Sequence, residues 1–117
     1  MNAPDRSECW TSGYEDEENK VTYQKDTKIP NAGTFTIMRE DHTLGNLLRM
    51  ELLKDQNVRF AGYIAPHPLE HVIKLRVQAA DNVTPIRSVT QAVDHLQQQF
   101  DTLSKSFESQ VHKFKET

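Results

Sequence analysis

From Thr84 onward the chain has no glycine and only one proline, Pro85. Across the same stretch Ile86, Val89, Val93, Leu96, Phe100, Leu103, Phe107, Val111 and Phe114 recur at spacings of three and four. That pattern predicts one unbroken helix with a single apolar stripe, close to a heptad seam over more than four heptads. Thr84 followed by Pro85 is its start signal, a capping oxygen and then the residue best tolerated at the first helical position. Lys113 and Lys115 complement the negative end of its dipole. If residues 85–115 are helical, a rise of 1.5 Å each gives about 46 Å, whereas an eight-residue strand spans only about 26 Å. A helix of that length overhangs any sheet the rest of this chain can build.

The rest is short. A chain of 117 residues has room for one core and little apolar side chain to spare. Val21 and Tyr23 alternate with polar neighbours between Lys20 and Lys25, and Phe35 and Ile37 do the same between Thr34 and Arg39. Period-two alternation is the mark of half-buried strands, and Ile29 to Gly33 supplies turn residues between them. Asp41 or Thr43 then caps a helix of about three turns. It carries Leu44, Leu47, Leu48 and Leu52 on one face and Arg49, Glu51 and Lys54 largely on the other. Gly45 in its first turn costs about 1 kcal/mol against alanine, so it needs a reason such as close backbone packing. Strand character returns from Val58 to Ala65 and from His71 to Ala79, where Ile73, Leu75 and Val77 point inward. The expected fold is therefore α+β: a four-stranded antiparallel sheet in ββαββα order with a long C-terminal helix. Residues 20–117 form the domain, and residues 1–19, with Trp10, Tyr14 and the acidic cluster Glu15 to Glu18, form an N-terminal arm, either extended or a disordered, solvated tail.

Composition excludes several functions. Seventeen acidic residues outnumber fourteen basic ones, and no Lys/Arg run is present to displace counterions from a phosphate backbone, so direct nucleic-acid binding is not expected. Cys9 is the sole cysteine, which rules out an internal disulfide framework and fits a reducing compartment. No apolar run nears the roughly 20 residues that span a bilayer, and Met1 to Arg6 is too polar for a signal peptide. His42, His67 and His71 share no ligand spacing with Cys9. Asp41 beside His42 lacks the nucleophile and orienting group of a catalytic dyad. Gly13, Gly33, Gly45 and Gly62 make no phosphate loop. No catalytic, cofactor or metal site is expected.

The apolar stripe carries the functional reading. Its N-terminal half can bury Ile86, Val89 and Val93 against the strands, but Phe100, Leu103, Phe107 and Phe114 then lie where the domain offers no cover. Burying each such side chain is worth roughly 1.5–3 kcal/mol, so leaving several in water is costly. A second protein surface along Val89, Val93, Leu96, Phe100, Leu103, Phe107, Val111 and Phe114 is the simplest cover. The alternatives are a helix bent back over its own sheet, a parallel coiled coil, and a homodimer through the same face.

Glu40, Asp41, His42, Thr43, Leu44, Gly45 and Asn46 read EDHTLGN, a string that resembles the signature of the small alpha-like subunits of eukaryotic and archaeal RNA polymerases. MNAPDR at Met1 to Arg6, DTKIPNA at Asp26 to Ala32, LLKD at Leu52 to Asp55, FAGY at Phe60 to Tyr63, HPLEH at His67 to His71 and RVQ at Arg76 to Gln78 extend the likeness over most of the chain. MNAPDR and HPLEH favour the RNA polymerase II branch of that family over the branch shared by polymerases I and III. Where the family carries an apolar stretch after its opening motif, this chain has Ser7 to Ser12. The resemblance implies a nuclear, non-catalytic subunit that heterodimerises with the third-largest polymerase subunit, its long helix packed on the counterpart helix. The pair would form a platform for the second-largest subunit, with catalysis on other chains and the EDHTLGN helix at or near these contacts.

Overall fold

The computed structural model describes residues 20–116, so the expected arm at residues 1–19 lies outside the described residues. Strands β1 (Val21–Lys25) and β2 (Ala32–Met38) lead into helix α1 (His42–Leu53), followed by β3 (Val58–Ile64), β4 (Val72–Ala79) and the long helix α2 (Pro85–Glu116). The strands form one sheet in the order β1-β2-β4-β3, every neighbouring pair antiparallel. The expected ββαββα order and α+β architecture are those observed.

β4 sits at the centre, and its alternation sets the core. Ile73, Leu75 and Val77 are wholly buried, while Lys74 and the rest of that phase point to the sheet's outer face. Phe35, Ile37 and Ala61 extend the inner face, against which Leu48 and Leu52 of α1 and Ala92 and Leu96 of α2 pack. Both helices therefore cover one face of the sheet and leave the other to solvent, the one-sided burial that alternating strands encode.

The β1–β2 turn shows which of its candidate residues does the work. Asn31 takes the left-handed conformation (φ 55°) and its side-chain amide donates to the Ala80 carbonyl at 3.1 Å. Gly33, expected in the turn, belongs to β2, and its value is space. A Cβ there would run into the ring of Tyr23 across the ladder, and that ring packs tilted against Phe35 with centroids 4.7 Å apart.

Asp26 fastens the same turn to β4. It accepts from the backbone N–H of Lys28 at 2.8 Å, from the guanidinium of Arg76, and from the N–H of Ile29 at 3.2 Å. These donors, Lys28 foremost, hold its carboxyl below the ordinary 3.8, at about 2. A carboxylate depressed in the folded state contributes stability at pH above about 4 and loses that contribution as pH falls toward 2. In acid unfolding followed by circular dichroism, Asp26→Asn should be less stable than wild type near neutrality, and the two curves should converge between pH 4 and 2. Parallel curves across that window would sink the assignment.

Candidate functional site

α2 begins as its sequence specifies. Thr84 Oγ1 accepts from the Arg87 N–H at 3.2 Å, capping the first turn before Pro85. The face it turns to its own domain is not the expected one. Ser88, Ala92 and Leu96 are buried and Val89 is half-buried, whereas Ile86 and Val93 are 51% and 38% exposed. Small side chains at Ser88 and Ala92 let the helix backbone approach α1 and the sheet closely, and this rotates the bulkier Ile86 and Val93 outward.

Past Leu96 no residue of α2 is buried. The twenty residues from 97 to 116 rise about 30 Å at 1.5 Å each, which accounts for the long axis of a molecule measuring 61 × 43 × 25 Å. Phe100, Leu103, Phe107 and Phe114 are 54%, 62%, 69% and 81% exposed, with Val111 at 38%. Ile86, Val93, Phe100, Phe107 and Phe114 stand seven residues apart. A straight helix drifts only about 20° per heptad, so the five form one continuous apolar row along the helix. The helix neither bends back nor covers this row with its own sheet. Among the residues expected to form an interface, Leu96 belongs to the internal core and Val89 packs against it. Val93, Phe100, Leu103, Phe107, Val111 and Phe114 lie open.

The EDHTLGN segment is where α1 locks onto β3. Glu40 pairs with Lys20 at 3.0 Å, joining the helix start to the entrance of β1. Asp41 is the N-cap, its carboxylate accepting from the Thr43 N–H at 3.0 Å. His42 Nδ1 lies 3.0 Å from Tyr63 Oη, the two rings edge to face. Leu44 packs on the core, and Asn46 Oδ1 accepts from Arg49 Nη2 at 2.6 Å. Gly45 finds its reason here, since a Cβ would stand 2.6 Å from Cδ2 of the Tyr63 ring. On α1's solvent side Met50 and Leu53 are exposed.

Gly45→Ala would gain about 1 kcal/mol in an isolated helix. In this domain it must displace Tyr63, and overpacking of that kind costs about 1–3 kcal/mol. In urea unfolding the substitution should therefore destabilise the wild-type domain yet stabilise a Tyr63→Ala background. The same sign in both backgrounds would show that Tyr63 is not the reason for the glycine.

Glu51 was missed. Helical periodicity puts it on the solvent side, but it is 7% exposed, wedged between the helices with Oε1 3.6 Å from His95 Nδ1 of α2 and Oε2 3.2 Å from Lys54 Nζ. Only knowledge of where α2 crosses α1 could have revealed it. Among the described residues no three of His, Cys, Asp and Glu converge as metal ligands.

Residues 32–106 match the family described as the RNA polymerase Rpb3/Rpb11 dimerisation domain. The chain belongs to that family. A relative in Dictyostelium discoideum, named DNA-directed RNA polymerase II subunit rpb11, is 50% identical over 113 residues, 97% of this chain and 92% of its own length. The Schizosaccharomyces pombe protein named DNA-directed RNA polymerase II subunit RPB11 is 43% identical over 88 residues, 75% of this chain and 72% of its own. The fold is shared with DNA-directed RNA polymerase subunit L of Thermoplasma acidophilum, with a TM-score of 0.68 at 24% identity over 83% of this chain and 95% of that one. The expectation drawn from EDHTLGN therefore holds: this is an Rpb3/Rpb11-type domain. Its family match ends at residue 106, while the apolar row continues through Phe107 and Phe114.

Proposed function

We propose that this chain is a non-catalytic subunit of nuclear RNA polymerase II that pairs with the third-largest subunit through the exposed row of α2, Val93, Phe100, Leu103, Phe107, Val111 and Phe114. One observation carries the reading: about 30 Å of amphipathic helix extends beyond its own domain with three phenylalanines in solvent. Membership of a dimerisation-domain family, and relatives whose names place them in RNA polymerase II, support a partner of the same fold class. The pair then serves as the platform on which the second-largest subunit and others assemble, and catalysis stays with the largest chains. EDHTLGN, in this reading, positions α1 and its exposed Met50 and Leu53 beside the seam.

The direct test is coexpression. With the third-largest subunit of the same polymerase, the chain should elute as a one-to-one complex. A soluble homodimer of this chain that ignores that subunit would overturn the proposal.

A further inference from the structure

Among the described residues no strand pairs with the outer edge of β3 in the order β1-β2-β4-β3, and along it alternate backbone N–H and C=O groups point away from β4. An edge of this kind accepts an added strand unless something blunts it. At its start the register shifts between Val58 and Phe60, and such a bulge twists the edge away from pairing. From Phe60 to Ile64 the ladder with β4 is regular, and that stretch carries no proline and no charged residue.

Both sides of this stretch are prepared. On the outer face Phe60 and Ile64 are 49% and 60% exposed. Gly62 lies between them, and the Phe60 ring leans over it to within 3.1 Å of where a Cβ would stand. The result is an apolar shelf above a hollow of about 330 Å³ that Lys74 and Arg76 also line. On the α1 side a second groove runs along the same strand, bordered by His42, Arg49 and Tyr63. Among the described residues no carboxylate lines either one, although Arg76 reaches Asp26 nearby.

Arg49 points to what belongs in that second groove. Its Nη2 bonds Asn46 and its guanidinium lies 6.0 Å from the centre of the Tyr63 ring, yet its Nε is buried with no hydrogen-bond partner. Neither Asn46 nor the Tyr63 ring carries a charge to offset the guanidinium at the groove wall, so a carboxylate brought alongside β3 meets a cation there.

We infer that the β3 edge from Phe60 to Ile64 docks an extended segment of another protein chain, which adds to the sheet as a fifth strand. Side chains on a strand alternate between faces, so the segment alternates acidic residues, directed toward Arg49 and His42, with apolar residues seated on the Phe60 and Ile64 shelf. This surface is separate from the α2 row, so either can fail while the other stands. That the segment belongs to a polymerase subunit rests on the function proposed above.

Residue-resolved amide hydrogen exchange, on the heterodimer alone and on the assembled polymerase, tests it. The amides of Phe60 to Ile64 that face away from β4 should exchange at least about tenfold more slowly in the assembly. A Phe60→Lys, Ile64→Lys double variant should still copurify with the third-largest subunit but enter the polymerase at least about tenfold less well. Unchanged exchange of the outward amides overturns the inference, even if the shelf side chains become covered. So does protection that arises from self-association of the heterodimer, which would assign the edge to a second copy. If the chain fails to pair with the third-largest subunit but β3 is still protected in a complex, the earlier proposal falls and this one survives.

Discussion

Phe100→Glu and Phe107→Glu should each abolish copurification with the third-largest subunit while leaving the chain's own thermal transition unmoved. The two halves of that expectation have separate causes. Both side chains are more than half exposed in the chain alone, so replacing them removes no internal contact, and surface changes of that kind usually stay within about 0.5 kcal/mol. In the proposed pair the same positions would lie within the buried seam. Each replacement then forfeits about 1.5–3 kcal/mol of apolar burial and buries a carboxylate in an apolar seam, at a further cost of several kcal/mol. A loss above roughly 4 kcal/mol lowers affinity about a thousandfold, since each 1.4 kcal/mol is a factor of ten. Pull-down and calorimetric titration read the first half, and differential scanning calorimetry the second. Normal pairing of both variants would take the interface off α2. A collapse of the melting transition would mean that the helix is internal core after all.

How far the sequence reveals this arrangement differs by element. β4 is legible from its alternation alone, because a half-buried central strand admits one phase and Ile73, Leu75 and Val77 occupy it. The overhang of α2 is legible from arithmetic, since rise per residue and strand length are fixed by covalent geometry. The rotation of α2 on the sheet is not. Periodicity identifies an apolar stripe but not the angle at which it meets its own domain, and Ile86 and Val93 look as eligible for burial as Val89. Small residues decide the matter. Ser88 and Ala92 contribute little hydrophobicity, yet they allow the close approach that turns the larger side chains outward. Glu51 shows the same limit from the other side: a charged residue reads as solvent-facing until a second helix is known to cross over it.

The EDHTLGN motif was legible as a string before it was legible as physics. Its cap residue could be read directly, whereas the glycine could not, because the ring that requires it belongs to a different strand. A helix start, a tyrosine on β3 and a glycine facing it form one contact, and sequence order separates the three. The same contact explains why α1 sits where it does: His42, Gly45 and Arg49 all meet Tyr63, which sets the register of the first helix on β3.

Leu96 and Leu103 offer the sharpest separation of fold from function, because they are the same residue type, seven positions apart on the same helix, and differ only in what lies beneath them. Leu96 is 7% exposed within the core cluster, and Leu103 is 62% exposed on the overhang. Leu96→Ala should cost the domain about 2–4 kcal/mol, lost transfer energy plus the cavity left behind. At roughly 4–8 °C per kcal/mol for a domain of this size, its melting temperature should fall by more than about 8 °C. Leu103→Ala should leave the melting temperature of the chain alone within a few degrees and instead weaken pairing with the third-largest subunit. Truncating a well-packed interface residue typically costs about 1–2 kcal/mol, or roughly five- to thirtyfold in affinity. Urea unfolding of each variant by itself and titration against the partner place both on two axes. If the two substitutions destabilised the chain alone equally, the end of α2 would be supported by its own domain, and the reason for assigning it to another subunit would be gone.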